Sequence, residues 1–202
     1  FLAFVWMELV WERSDSPAYL AAAMLAYSAL TWLGMLLFGR AQWLCRGEVF
    51  TLVFGLLARF APTEVRESSS GGRALNLRAY GVGLLSREPV PASIVVLVLA
   101  MLAAVCLDGF METPLWASIL EYYAPPAGIT ASDGEAARLW LQTAGVLAAL
   151  LLFVAVYLAF CGLVAYCGGR RVPVTRIAGL FVLTLVPIAI AYHLAHYLSF
   201  LA

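Results

Sequence analysis

The sequence predicts an all-α integral membrane protein, a polytopic bundle of helices, and three observations support this fold class. Four apolar stretches are long enough to cross a bilayer, since about 20 helical residues at 1.5 Å each cover a hydrocarbon core of about 30 Å. Of the 202 residues, 64% are hydrophobic and only 12% are charged, whereas soluble domains carry about 25% charged residues. The expected partner is therefore the lipid bilayer. A net charge of zero gives no reason to expect a nucleic-acid partner.

The four complete spans are predicted at 17–39, 91–107, 140–166 and 176–202. Ser16 followed by Pro17 is typical of a helix start, because serine caps N-termini and proline fits the first turn. In the last span, Pro187 should cause a kink, because it removes one hydrogen bond and crowds the carbonyl of Leu183.

Two shorter helices are predicted between the spans. The apolar segment 48–60 has 13 residues, about 20 Å as a helix, which is too short to cross. It is predicted to be an interfacial or re-entrant helix. A short outer helix is predicted at 114–123, whereas residues 63–90 are polar and are predicted to form a loop.

The N-terminal residues from Phe1 to Trp11 are apolar, but they make up only about half the length of a span. We therefore expect a truncated N-terminal helix, and a chain that is a fragment of a longer protein. Residues 1–202 are expected to form one transmembrane domain.

The distribution of arginine predicts the orientation, because cytoplasmic loops are enriched in basic residues. Ten of the twelve basic residues fall on one side; they are Arg40, Arg46, Arg59, Arg66, Arg73, Arg78, Arg87, Arg170, Arg171 and Arg176. Arg13 and Arg138 lie on the other side. Loops 40–90 and 167–176 are therefore predicted to be cytoplasmic.

The residues best suited to catalysis or metal binding are His193 and His196 near the end of the fourth span. They are the only two histidines in the chain, and their spacing of three puts them on one helix face. Asp108 is expected at the same outer end of the bundle. Together His193, His196 and Asp108 are a candidate metal site, since three ligands with an open position are typical of catalytic zinc. A divalent metal is the cofactor that this interpretation implies.

Each candidate site residue could instead have a purely structural role. Histidine is tolerated near the membrane interface, where it hydrogen-bonds water or a neighbouring helix, and an aspartate often caps a helix end. Glu8 could relay protons or simply be solvated. Glu48, Arg46 and Arg59, which flank the segment 48–60, could form a substrate gate, but anchoring at the membrane surface by snorkelling is favoured.

Three motifs resemble a known family. They are Phe38-Gly39-Arg40…Gly47-Glu48…Phe54-Gly55-Leu56-Leu57-Ala58-Arg59-Phe60-Ala61-Pro62, then Asp108-Gly109-Phe110…Thr113-Pro114-Leu115-Trp116, then Val186-Pro187 through His196-Tyr197. This pattern is similar to a family of bacterial polytopic membrane proteins often named fenitrothion hydrolase. The resemblance implies a bacterial inner-membrane location, and the family name implies organophosphate hydrolysis. That reaction requires an activated water or a nucleophile, for which the chain offers His193, His196 and Asp108.

Three functions follow as hypotheses, and whether the protein is an enzyme stays open among them. The favoured one is a non-catalytic membrane subunit or scaffold of a larger assembly with other membrane subunits. The second is an outer-face metal-binding protein or metal-dependent hydrolase that uses His193, His196 and Asp108. The third is a transporter, which would require paired charges or broken helices at mid-membrane.

Overall fold

The computed structural model describes residues 1–11, 16–67, 71–85, 88–123, 131–169 and 171–199, with every side chain in these ranges except those at positions 67, 131–133, 196, 197 and 199. The helices are α1 (Leu2–Leu9), α2 (Pro17–Phe38), α3 (Arg40–Arg46), α4 (Val49–Phe60), α5 (Ala92–Met111), α6 (Pro114–Tyr123), α7 (Ala131–Cys167), α8 (Val174–Phe181) and α9 (Val186–Ser199). The strands are β1 (Thr63–Glu67) and β2 (Arg73–Leu77).

Within the described ranges, four helical segments are long and apolar enough to cross a membrane. They are Pro17–Phe38, Ala92–Met111, Gly134–Cys167 and Val174–Ala195. The predicted fold class, an all-α multi-pass membrane bundle, is confirmed. The second span extends beyond its predicted end, because α5 continues through Asp108 and Gly109 to Met111. A glycine inside a helix costs about 1 kcal/mol, and Leu107, two residues before it, is buried in a cluster with Val5 and Val146.

The central helix of the bundle is α5. Of its most apolar window, 44% is buried inside the protein, against 6% for α2. Its buried residues Val95, Val98 and Leu99 pack against Leu56 of α4 and Val182 of the fourth span. The bundle therefore forms around α5, and α2 lies at its periphery.

The bundle has two ends, which we name by the elements found there. The α6 end holds the start of α2, the end of α5 and α6, where the Trp116 ring packs against α7 at Gly145. The β-hairpin end holds strands β1 and β2 and the start of α5. Near the α6 end, Nε1 of Trp6 donates to Oγ1 of Thr143 at 2.9 Å, which fixes α1 to α7.

The fourth span is interrupted rather than continuous. Between α8 and α9, residues Val182–Leu185 form a 3₁₀ turn. This turn contains Leu183, whose carbonyl group Pro187 was expected to crowd. The proline therefore accounts for the position of the interruption.

The expectation of a loop across residues 63–90 is wrong for its first half. β1 and β2 form an antiparallel pair in which Thr63 faces Leu77, Val65 faces Leu75 and Glu67 faces Arg73. The sequence of each strand alternates only in part, since Val65 is flanked by charged residues in β1 and Leu75-Asn76-Leu77 alternate in β2. Such short and incomplete alternation did not indicate a strand within a polar segment.

Candidate functional site

A helical hairpin made of α3 and α4 forms one side of the candidate site. After α2 ends, Gly39 adopts a φ of +81° that favours glycine, and α3 turns back along α2. The ring of Trp43 then lies on Gly34, where a methyl group would overlap the indole. Trp43 also stacks on Phe38 with ring centroids 5.6 Å apart. These contacts hold α3 against the second half of α2.

Glu48 occupies the tip of this hairpin, as the N-cap of α4. One carboxylate oxygen accepts hydrogen bonds from the Tyr27 hydroxyl and from the Phe50 amide, the latter at 3.0 Å. The other oxygen accepts from the amide and the hydroxyl of Thr51. Four donors therefore surround a carboxylate whose residue is only 7% exposed.

The hydrogen bond to Tyr27 shows the level of Glu48 along α2. α2 has 22 residues and Tyr27 is close to its middle, about 16 Å from either end of the helix. Burial of this carboxylate against α2 differs from the solvated position that anchoring at the membrane surface implies, and the location of the segment relative to the membrane stays a prediction. α4 begins in the interior of the bundle and runs toward the β-hairpin end.

Beside this tip lies a cavity of about 520 Å³, whose lining includes Trp11, Leu20 and Asp108 near the α6 end. It is walled by α1, α2, α4, α5 and α9, and its titratable lining groups are Glu8, Asp108 and His193. The remaining lining residues are Phe1, Phe4, Val5, Met7, Leu9, Trp11, Leu20, Val49, Phe50, Val53, Ala104 and Val105. The cavity is thus mostly apolar, with three polar groups that differ in chemistry from the rest of its wall.

Aromatic rings form the part of the cavity wall nearest to Glu48. Phe4 and Phe50 lie 5.1 Å apart between centroids, and both contact Tyr27, at 5.1 Å and 5.3 Å. The hydrogen bond from Tyr27 to Glu48 thereby fixes the position of the two phenylalanine rings.

The three titratable groups of the cavity can all accept hydrogen bonds. Nδ1 of His193 lies 2.7 Å from the Ala189 carbonyl oxygen, which can only accept, so Nδ1 carries the proton. In a neutral imidazole this leaves Nε2 as an acceptor. Glu8 and Asp108 add carboxylate oxygens, and both also interact with other groups of the protein.

The predicted metal ligands His193 and Asp108 line this same cavity. Among the described residues, however, no three His, Cys, Asp or Glu side chains come close enough together to hold one metal ion. Glu8, Asp108 and His193 therefore surround the cavity rather than converge on a point. The side chain of His196 lies outside the described residues, so the trio of His193, His196 and Asp108 stays a prediction.

A second cavity of about 760 Å³ adjoins Phe1 on the side of the β-hairpin end. Its lining is largely apolar, with Arg46 and Cys45 among the residues at its edge. It offers no counterpart to the three acceptor groups of the first cavity, which is therefore the better candidate for a polar or charged ligand.

Sequence analysis identified Asp108 and His193 but did not identify the partnership of Glu48 with Tyr27. The one available signal was the glutamate immediately before an apolar segment, since negative charge is favoured near the N-terminus of a helix. Comparison with known proteins adds nothing to this picture, because no family model, no curated protein and no solved structure matches the chain.

Proposed function

We propose that the chain is the membrane-embedded part of a transporter for a small organic cation, and that the cavity of about 520 Å³ is its binding site. The observation that carries the proposal is the identity of the cavity walls. They include the first turn of α4, which starts inside the bundle, and α9, which follows the interruption of the fourth span. Discontinuous helices of this kind typically form the substrate sites of transporters.

The chemistry of the wall supports a cationic solute. Glu8 and Asp108 supply carboxylates, and the lone pair on Nε2 of His193 adds a third acceptor. Phe4 and Phe50 supply ring faces that attract a cation. Because the acceptor groups are spread around the cavity, a small organic cation, which is larger than a metal ion, suits them better than a single metal ion.

The arginine distribution supports the orientation of this transporter. With loops 40–90 and 167–176 in the cytoplasm, the α6 end faces outward and the cavity opens on the outer side of a bacterial inner membrane. In this orientation the solute enters from the outer side.

A binding experiment tests the proposal on the purified protein in nanodiscs. The probe is benzyltrimethylammonium, with its neutral isostere neopentylbenzene as the comparison and Zn²⁺ as a third ligand. We expect the cation to bind at least tenfold more tightly than the isostere, a difference of about 1.4 kcal/mol. Asp108→Asn and Glu8→Gln should each weaken cation binding severalfold.

The matched control is Glu121→Gln, because Glu121 is exposed on α6 and is not part of the cavity wall. Equal binding of the cation and its isostere would contradict the proposal, as would equal effects of all three substitutions. Tight Zn²⁺ binding that is lost in His193→Ala and His196→Ala would instead support the predicted metal site. Uptake of the cation into proteoliposomes then distinguishes a transporter from a static binding protein.

The scaffold predicted from the sequence is the second candidate function, and the surface of α2 favours it. Large side chains of α2 such as Trp32, Leu36 and Leu37 are exposed along its length. A photoreactive residue in place of Leu36, activated in native membranes, should form a discrete protein adduct if α2 binds a partner helix. Adducts with lipid alone would exclude that partner contact.

A further inference from the structure

The β-hairpin has two faces of opposite chemistry. In an antiparallel pair, residues directly opposite each other share a face. One face therefore carries Val65 with Leu75, Thr63 with Leu77 and Glu67 with Arg73, whereas the other carries Glu64 with Asn76 and Arg66 with Ala74. We call the first the apolar face, because Val65, Leu75 and Leu77 lie on it, although it ends in a charged pair beside the turn; the second is the polar face.

The polar face is fixed to the end of α4. Arg78 directly follows β2, and its guanidinium donates to the carbonyl oxygens of Ala58, Arg59 and Ala61, each at 3.1 Å. The same guanidinium pairs with Glu64 on the polar face at 3.0 Å. Because the polar face contacts α4 through this arginine, the apolar face points away from the bundle.

The apolar face is uncovered within the described part of the chain. Val65, Leu75 and Leu77 are 64%, 70% and 83% exposed. A two-stranded hairpin by itself is only marginally stable in water. Exposed apolar side chains on such a small sheet therefore require a partner that removes them from water.

The position of the hairpin favours lipid as that partner. It follows α4 and precedes α5, and both helices belong to the membrane bundle. Its apolar residues lie toward the base of the hairpin, whereas Arg73, the first residue of β2 and the one next to the turn, is exposed. Tyr80 packs on Phe60 at the end of α4 and is largely exposed, as is typical of aromatic residues in the interfacial layer.

The hairpin also places one exposed arginine beside its apolar side chains. The two strands carry two arginines and two glutamates, so the attraction depends on position rather than on net charge. Arg73 is exposed and shares its face with Leu75 and Leu77, and an arginine next to an anionic membrane surface contributes about 1 kcal/mol to its attraction. Arg66 lies on the opposite face, where it pairs with Glu64 at 2.8 Å.

We propose that the β-hairpin is a membrane-surface anchor that inserts Val65, Leu75 and Leu77 into the bilayer interface and binds anionic phospholipid headgroups through Arg73. The anchor holds the end of α4, through Arg78, at a fixed depth in the leaflet. This inference is independent of the proposed transport function, because it uses no residue of the cavity.

The test uses the full chain in nanodiscs of phosphatidylcholine, with and without phosphatidylglycerol. Leu75→Cys and Ala74→Cys, each in a protein whose native cysteines are replaced by alanine, carry the same environment-sensitive fluorophore on opposite faces of one strand. Spin-labelled lipid should quench the label at 75 at least twofold more than the label at 74. Phosphatidylglycerol should increase the difference, and Arg73→Gln should abolish that increase.

A second measurement requires no cysteine and covers the case in which the labelled proteins do not fold. Amide hydrogen exchange in 63–67 and 73–77 of the unmodified protein should slow severalfold when phosphatidylglycerol is added. Equal quenching at 74 and 75, or exchange that does not respond to lipid charge, would overturn the proposal. Protection that is lost on dilution of the protein at constant lipid would show that a second protein chain covers this face.

Discussion

Single residues of α2 and α3 determine whether α3 can lie against α2. Gly34 and Trp43 are the closest pair, because the indole occupies the space that a side chain at position 34 would fill. Neither residue stands out in the sequence, because a glycine and a tryptophan are both common in membrane helices. The contact depends on the turn at Gly39, which only the three-dimensional structure reveals.

Gly34→Ala should therefore destabilise the protein by about 1–3 kcal/mol, because the added methyl group overlaps the Trp43 ring. Gly55→Ala is the matched control, since a Cβ at position 55 of α4 meets no atom within 4 Å. That change should stabilise α4 by about 0.4–1 kcal/mol. The free energy of unfolding in mixed detergent micelles measures both, and equal effects would contradict the packing described for Gly34.

Glu48 is the second residue whose role depends on a distant partner. Glu48→Ala should remove the acceptors of the Phe50 and Thr51 amides and of the Tyr27 hydroxyl. Since each unsatisfied buried donor costs about 1–3 kcal/mol, we expect a loss of about 3 kcal/mol or more in thermal or detergent unfolding.

Tyr27→Phe is the control for Glu48, because it removes one donor and leaves the amides of α4 bonded to the carboxylate. Its expected cost is about 1 kcal/mol. If Glu48→Ala proved no more harmful than Tyr27→Phe, the carboxylate would not be the group that fixes the start of α4.

At the scale of elements, hydropathy predicted the helices well, because apolar length is a local property. Two elements required more than length. The break between α8 and α9 depends on the effect of Pro187 on the preceding turn, and it was anticipated as a kink. The β-hairpin was missed because its five-residue strands are short and alternate in polarity over only part of their length.

Arg78 connects these elements, and its removal should separate the β-hairpin from α4. In Arg78→Ala, the carbonyl groups of Ala58 and Ala61 lose their donor and Glu64 loses a partner. We expect amide hydrogen exchange in β1 and β2 to accelerate at least tenfold. Arg66→Ala, which removes an exposed pair with Glu64, should change exchange far less, since surface pairs contribute about 0–1 kcal/mol.

At the scale of the whole molecule, the sequence predicted the number of spans and an orientation, but not how the helices pack. The placement of Asp108 and His193 on one cavity was anticipated, since both were assigned to the same end of the bundle. The inclusion of Glu8 in that cavity depends on how α1 packs between α5 and α7. Packing of apolar helices in lipid depends on shape rather than on hydropathy, and hydropathy is what a single sequence shows most clearly.

The predicted orientation can be tested with one native cysteine. Cys167 is exposed at the end of α7, next to the loop predicted to be cytoplasmic. A protein that keeps only Cys167 should react with an impermeant maleimide after cells are permeabilised and not before. Glu121→Cys, on α6 at the other end of the bundle, should react in intact cells, and the reverse pattern would invert the orientation.

The unequal lengths of α5 and α7 determine how the protein responds to lipids of different acyl-chain length. α5 has 20 residues, with Asp108 in its last turn, so its apolar surface is no longer than the roughly 30 Å of an average bilayer. α7 has 37 residues, about 55 Å, and its apolar part after Glu135 and Arg138 is longer than that thickness. Longer acyl chains should therefore strain α5 and the core around it, so that such lipids compress near this protein, whereas α7 accommodates the change at lower cost.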